Sequence, residues 1–149
     1  MIKKLLLTLL SITWLFASPF DLNQNINSFS LADQFDKKHT VNSNIQTIIV
    51  SFEKGTGADI NEFLNSKEPD FLEKNNAVFI ANISGMPSII TKMFALPKMK
   101  KYKHPILLIY DDEDKRFLYK EDKSTVYKVE NGVITGVEYI EKEDLESLF

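Results

Sequence analysis

The stretch TIIVSFEKGTGADINEFL, residues 47–64, decides the fold. Its first six residues form a continuous run of apolar and β-branched side chains with one serine, which is typical of a strand covered on both faces. Two glycines interrupt the pattern, and Ile60, Phe63 and Leu64 then follow at the spacing of one helical face. The stretch therefore predicts a buried strand, a small-residue loop over 54–59 and the start of a helix.

Two later runs have the same buried character: AVFIANI, residues 77–83, and PILLIY, residues 105–110. A helix is predicted between them, and Pro97 is expected to interrupt it. Its apolar side carries four residues: Ile89, Ile90, Met93 and Phe94. Strands that alternate with helices indicate a parallel sheet core with right-handed crossovers.

Hairpins are predicted at both ends of this core. Residues 28–41 alternate apolar and polar side chains around a turn at Asp36, which indicates two short strands. Residues 124–140 contain two β-rich runs around Asn131-Gly132, a pair that tolerates the positive φ angles of a two-residue hairpin turn. A short helix carrying Phe117 and Leu118 is expected before this hairpin, and another helix after it closes the chain. The predicted class is α/β, a central mixed sheet flanked by helices.

The first 17 residues have the three parts of a secretory signal peptide: a basic start, a short apolar run and a small residue at Ala17. An uncleaved anchor is the alternative, although the apolar run is shorter than the roughly 20 residues of a membrane span. Residues 18–27 are polar and predict a flexible lead-in, so the domain is placed at 28–149. No membrane span is expected after signal removal, and the location is predicted to be periplasmic or otherwise exported.

Composition excludes several kinds of chemistry. The chain has no cysteine, so it offers neither a disulfide nor a thiolate, and cysteine-based zinc sites are ruled out. The two histidines, His39 and His104, are far apart in sequence and are expected at the surface; no metal site is predicted. The acidic run at 111–114 lacks the glycine and closing glutamate of a calcium loop. A net charge of −3 argues against general nucleic-acid binding.

Several phrases in succession resemble exported thioredoxin-like proteins of the redoxin type, close to peroxiredoxins and to the thioredoxins of cytochrome maturation. FSLADQFDKKHTV (29–41) is similar to the opening of that family, and TIIVSF (47–52) to its strand before the active site. AVFIANIS (77–84) and HPILLIYDDED (104–114) resemble its central strands, and residues 124–149 its closing hairpin and helix. The resemblance implies a thioredoxin-like fold.

The chain departs from that family where the family's chemistry lies. The two cysteines of a Cys-x-x-Cys motif would fall at Gly57 and Ile60, so thiol–disulfide and peroxidatic cysteine chemistry are excluded. The family's cis proline falls at Ser124, with Pro105 as the competing placement. A trans bond is expected before Ser124, because a cis bond to a residue other than proline costs about 2.5–4 kcal/mol.

Two surfaces are candidates for binding. The first lies at the carboxyl end of a central strand, where open sheets bind ligands and free N–H groups attract anions. Its members are Lys54, Gly55, Thr56, Gly57, Asp59, Ser124 and Thr125. The alternative is that Thr56 or Asp59 only caps the helix. The second is a basic patch, which could dock an acidic partner or lipid head groups or could be a solvated helix face. Its members are Lys98, Lys100, Lys101 and Lys103.

These observations favour an exported, cysteine-free protein that acts as a binding or assembly module and is not an enzyme. Its expected partner is another protein of the cell envelope. No cofactor is predicted. The alternative is an oxidoreductase that uses a bound flavin or haem in place of thiols, because the resembling family is a redox family. A weaker possibility is a small-anion binder at the loop 54–59.

Overall fold

In a computed structural model, which describes residues 18–149, the chain forms seven strands. They are β1 (Phe29–Ala32), β2 (Lys38–Val41), β3 (Thr47–Ser51), β4 (Ala77–Asn82), β5 (Leu107–Ile109), β6 (Ser124–Glu130) and β7 (Val133–Ile140). Six helical segments lie within the same residues. They are α1 (Lys54–Asn65), α2 (Phe71–Lys74), α3 (Ser88–Ile90), a π turn (Thr91–Ala95), α4 (Leu96–Met99) and a closing 3-10 helix (Lys142–Leu148).

Five strands form one mixed sheet in the order β5-β4-β3-β6-β7, and β1 and β2 form a separate antiparallel hairpin. β3 pairs in parallel with β4 and antiparallel with β6. β3 is thus the central strand, and all five of its residues are buried, because side chains pack on both faces of the sheet. The predicted α/β class is confirmed.

The core has two layers, one on each face of the sheet. On one face, residues of α1 such as Ile60 and Leu64 pack against Ile49 and Phe79. On the other face, the fully buried Tyr127 packs with neighbouring strand residues and with the segments that precede β1 and β6. Alternate residues of one strand enter opposite layers, which explains why the central strands lack any polar alternation.

α1 begins earlier than predicted. The residues expected to form a loop, 54–59, form the first part of this helix. Glu53, the residue before it, has an extended backbone, so the helix begins at Lys54. Thr56 does not cap the helix; its hydroxyl donates to the Glu53 carbonyl at 3.2 Å. No N-cap side-chain bond is present at the Glu53 position, so the predicted capping by Thr56 or Asp59 is wrong. Packing of the helix's apolar side on the sheet outweighs the low helix propensity of its two glycines.

The helical run 88–99 continues through Pro97 instead of being interrupted by it. Pro97 occupies the first turn of α4, where a missing N–H is tolerated, and the π turn 91–95 precedes it. Apart from the buried Thr91, little of the run's first half enters the core. The four apolar residues predicted for one side are 41% to 63% exposed: Ile89, Ile90, Met93 and Phe94.

The segment between β5 and β6 contains turns and no helix, so the helix predicted around Phe117 is wrong. Phe117 is buried against Phe20, Phe29 and Tyr127, and these contacts hold the segment without regular backbone bonding. The predicted turn at Asn131-Gly132 is confirmed, since both residues have positive φ.

Residues 18–27 contribute to packing, with Ile26 buried and Asn25 bridged to Val133. No cis peptide bond occurs between residues 18 and 149, so the bond before Ser124 is trans as expected. Within these residues, no helix has the length and apolar character to cross a membrane. The predicted signal peptide, residues 1–17, lies outside the described residues.

Candidate functional site

A cleft of about 540 Å³ opens where β3 and β4 end, between α1 and the run from α3 to α4. Its wall is mainly apolar, with Phe52 from the β3 end, Ile83 and Met86 from the β4 end, and Ile90 and Phe94 from the helical run. Met99 and Tyr102 also line the cleft and pack against the core beneath it. Its volume lies within the range of ordinary ligand pockets.

Few polar groups line this cleft. Lys54 on α1 and Lys98 on α4 are exposed at its edges, and Asn61 and Asn82 lie along its walls. Glu53 also lines the cleft, but its carboxylate accepts a hydrogen bond of 2.7 Å from the Tyr119 hydroxyl. The cleft is thus an apolar site with cationic groups at the edge.

Tyr119 belongs to the segment that precedes β6, and it fixes the outer edge of the cleft. Its ring packs edge-on against Phe52 at a centroid distance of 5.2 Å. The hydrogen bond to Glu53 and the nearby acidic charges raise the pKa of Tyr119 to about 12. Tyr119 is therefore a neutral hydrogen-bond donor at physiological pH, and Glu53 keeps its place beside the strand end.

Gly57 and Ile60, where the resemblance placed the missing cysteines, lie inside α1. The Gly57 N–H donates to the Glu53 carbonyl at 3.0 Å, so this residue is one turn into the helix. A Cβ at Gly57 would lie 3.2 Å from the Ser51 hydroxyl oxygen, which shows that α1 and the end of β3 are in close contact at this point. Ile60 is 1% exposed and belongs to the core. Gly57 lines the cleft, where a small residue leaves the space open.

The predicted binding face is divided by α1 and does not form one site. Lys54 and Gly57 line the apolar cleft, whereas Thr56, Asp59 and Ser124 line a separate cavity of about 280 Å³. Gly55 is exposed and lines neither cavity. A helix turns by about 100° per residue, so consecutive residues of its first turns face different sides.

Thr125 is fully buried, and its hydroxyl donates to the Leu118 carbonyl at 2.7 Å. It therefore holds the segment before β6 and does not belong to a binding face. The sequence could not reveal this role, because the bond joins β6 to a segment without regular structure.

The 280 Å³ cavity is polar and carries both signs of charge. Besides the three predicted residues, it is lined by acidic side chains of the β7 end and by Lys142. Lys142 forms an ion pair with Glu62 at 2.8 Å and lies 4.0 Å from Asp59. The hydrogen bond with Glu62 raises the pKa of Lys142. Glu141, which also lines the cavity, pairs with Lys123, so part of the negative charge around the cavity is offset within the chain.

The predicted basic patch also divides. Lys98 lines the apolar cleft, while Lys103 lines a third cavity beside α1 and the segment before α2. Lys100 and Lys101 are exposed between them. None of the four forms an ion pair with another residue of the part of the chain that the structure describes. Together they place positive charge at the end of the helical run and in the turn after it.

A buried polar cluster supports the back of the cleft. His104 is 3% exposed, not at the surface as the sequence predicted, because its ring packs on Tyr102 and its Nε2 donates to Asn61 Oδ1 at 2.8 Å. Gln34, also buried, donates to the His104 carbonyl at 2.9 Å and accepts from the Ile106 N–H at 2.8 Å. Burial lowers the pKa of His104 to about 4, so the ring is neutral at pH 7.

His39 is half-buried and pairs with Asp33 at 2.6 Å. Burial raises the pKa of Asp33, but the hydrogen bonds from His39, Phe35 and Lys37 outweigh it, so the net effect lowers the pKa. Within residues 18–149, no group of three or more His, Asp or Glu side chains is arranged to hold a metal ion. The two histidines act as structural groups in separate clusters.

Solved structures similar to this chain share the thioredoxin-like fold. The thioredoxin domain of a thiol-disulfide oxidoreductase from Bacteroides vulgatus superposes with a TM-score of 0.55 at 12% identity, over 87% of this chain and 98% of that one. Peroxidoxin BcpB from Mycobacterium tuberculosis gives 0.54 at 11%, over 87% and 93%. A putative protein disulfide isomerase from Bacteroides thetaiotaomicron gives 0.52 at 16%, over 87% and 86%.

No family model matches the chain, and no curated protein matches it. At these identities the structural likeness establishes the fold alone. The chain has a thioredoxin-like fold and contains no cysteine. The resemblance predicted from the sequence phrases is thereby confirmed for the fold.

The cleft was not predicted from the sequence as a site. Its two walls come from the strand ends and from the helical run 88–99, and they meet only in the folded chain. One signal was available in the sequence: an apolar helix side that is followed by a lysine-rich end is unlike a core helix. Ile90 and Phe94 could have been named from that segment.

Proposed function

We propose that this protein is an exported, non-catalytic binding module whose apolar cleft takes an apolar segment of another protein of the cell envelope. The observation that carries the proposal is the open apolar cleft at the ends of β3 and β4, beside Gly57. In sheets of this kind, ligands bind at the carboxyl ends of the strands.

The chemistry of the chain supports binding over catalysis. Thiol–disulfide exchange requires a thiolate, and this chain has no cysteine from which to form one. At the family's first cysteine position, Gly57 supplies only backbone to the cleft wall. The fold therefore has a site at the strand ends but lacks the cysteine that would act as a nucleophile there.

Exposed apolar side chains support a protein partner over a small molecule. Ile90 and Phe94 line the cleft yet are 41% and 63% exposed, so a ligand confined to the cleft would leave part of each in water. A larger partner would cover both, and anchors of this kind dominate protein interfaces. One of the similar structures is named a putative protein disulfide isomerase, a name that denotes a protein substrate. A polypeptide is therefore the occupant most consistent with the scaffold.

Export is part of the proposal and rests on the sequence of residues 1–17. The basic start, short apolar run and small residue at Ala17 are the signal pattern. A partner in the envelope follows from that location.

Site-specific photo-cross-linking in the native cell tests the proposal. A photoreactive amino acid in place of Phe94 should yield one defined adduct with an envelope protein, because its side chain lies at the cleft edge. The same probe in place of Tyr139, which is 39% exposed on β7 and lines none of the cleft, serves as the matched control.

A second variant tests whether the cleft itself binds. With the cross-linked partner purified, Phe94→Asp should weaken binding at least tenfold, because a carboxylate would replace an apolar anchor. Phe35→Asp, a change at a residue that is 54% exposed away from the cleft, should leave binding within twofold. Equal adducts from positions 94 and 139, or equal losses from the two aspartates, would contradict the proposal.

The flavin or haem alternative has less support. Neither histidine lines the cleft, so the cleft offers no imidazole for a haem iron. A visible absorption band in protein purified from its native envelope would favour that alternative over a non-catalytic module.

A further inference from the structure

The helical run 88–99 presents a second apolar surface, beside the cleft and outside its wall. Ile89 and Met93 lie four residues apart and are 62% and 61% exposed. Neither residue lines the cleft, whereas Ile90 and Phe94, the residues that follow them in the sequence, both do. We call Ile89 and Met93 the outer stripe. It gives the run an apolar face that no described residue covers.

Charge around the outer stripe is strongly asymmetric. Residues 84–104 contain five lysines and no aspartate or glutamate, although the whole chain has 21 acidic and 18 basic residues. The five are Lys92, Lys98, Lys100, Lys101 and Lys103. Residues 18–83 and 105–149 together carry 21 acidic and 11 basic side chains, so the segment 84–104 has the opposite sign to the sequence on either side of it. An anionic surface would attract the protein in one orientation only.

We propose that the outer stripe and its lysines dock the protein on an anionic lipid surface. Apolar side chains beside lysines, along a helical run and the turn that follows it, resemble the composition of interfacial helices, which lie in the plane of the headgroups. Ile89 and Met93 enter the boundary between headgroups and acyl chains, and the flexible lysine side chains reach the phosphates. The cleft opens beside this surface.

An acidic protein is the rival partner, and the observations favour lipid. The lysines are spread along 12 residues, as suits a fluid array of phosphates, and none forms an ion pair with a described residue. The outer stripe is two residues wide and offers no central pocket for a protein hot spot. The inference does not depend on occupancy of the cleft.

Vesicle co-sedimentation of the purified protein tests the inference. Binding is expected to phosphatidylcholine vesicles that contain phosphatidylglycerol, with a decrease as salt rises and no binding to pure phosphatidylcholine. The triple change Lys92→Gln, Lys100→Gln and Lys101→Gln should lower the affinity about 100-fold, near fivefold for each lysine. These three residues lie outside the cleft wall.

A matched triple change controls for net charge. Lys37→Gln, Lys38→Gln and Lys115→Gln remove the same charge from exposed positions outside the run and should change the affinity less than threefold. No binding to anionic vesicles, or equal losses from the two triple variants, would overturn the inference. Binding to soluble polyglutamate without binding to vesicles would also overturn it, in favour of an acidic protein.

Insertion of the outer stripe has its own test. Met93→Ser should weaken vesicle binding about tenfold, because the methionine side chain that enters the lipid is replaced by a polar one. In Met93→Trp, the fluorescence should shift to the blue on anionic vesicles beyond the change in the unsubstituted protein; Tyr139→Trp should not. An unchanged affinity and spectrum at position 93 would refute docking by this stripe. Loss of the Phe94 adduct alone would instead refute the proposed function.

Discussion

Acidification should lower the free energy of unfolding of this protein, and one residue controls much of this effect. His104 is 3% exposed, and burial lowers the pKa of its imidazole from 6.5 to about 4. In the unfolded chain the ring takes a proton below about pH 6.5, whereas in the folded chain it stays neutral until about pH 4. Between these values the unfolded state binds more protons, so the free energy of unfolding falls as pH falls.

The size of the loss follows from the difference in pKa. A shift of this size corresponds to at most about 3 kcal/mol between pH 6.5 and 4, and the loss is complete below that window. Asp33, whose pKa is lowered, contributes stability that disappears only at lower pH. Since domains are stable by about 5–15 kcal/mol, His104 alone controls a substantial part of the total.

Urea unfolding at a series of pH values measures this effect. In the protein, the free energy of unfolding should fall by about 3 kcal/mol more between pH 7 and 4 than in His104→Gln. The glutamine amide can still donate to Asn61 Oδ1 but cannot be protonated in this range. A difference in baseline stability between the two proteins does not affect the comparison of slopes. Parallel pH profiles for the two proteins would refute the reasoning.

Three further predictions concern the fold and the N-terminus. Tyr127→Phe should destabilise by about 1–3 kcal/mol in urea unfolding, because the hydroxyl that accepts the Leu118 N–H at 2.7 Å is lost. Gly132→Ala should cost about 1 kcal/mol and lower the melting temperature, since φ is +81° and the new Cβ would lie 3.4 Å from Ser43 Cβ. N-terminal sequencing of the exported protein should begin at Ser18; a sequence that begins at residue 1 would indicate an anchor.

Part of the fold was predictable because its signals are local. The run 47–52 is mostly apolar and β-branched, without polar alternation, and this pattern is typical of a strand covered on both faces. Asn131-Gly132 allowed the closing turn to be located, since few residue pairs tolerate two positive φ angles. Such signals involve neighbouring residues and do not depend on the rest of the chain.

The candidate site was less predictable because distant segments build it. Glycines at 55 and 57 indicated a loop, but the packing of α1 on the sheet extends the helix through them. His104 beside a proline indicated a surface position, yet Gln34 and Asn61, 70 and 43 residues away along the chain, enclose it. A single sequence carries no local mark of such contacts.

By itself, the sequence determined which strands are buried, where the last hairpin turns, and that no thiol chemistry is available to this chain. It also placed five lysines and no acidic residue in one segment. Only the tertiary structure decided that α1 divides the predicted face, that Thr125 and His104 are buried, and that Ile90 and Phe94 border a cleft while Ile89 and Met93 do not. The physical reason is that periodicity and turn chemistry act over a few residues, whereas the convergence of side chains depends on long-range packing.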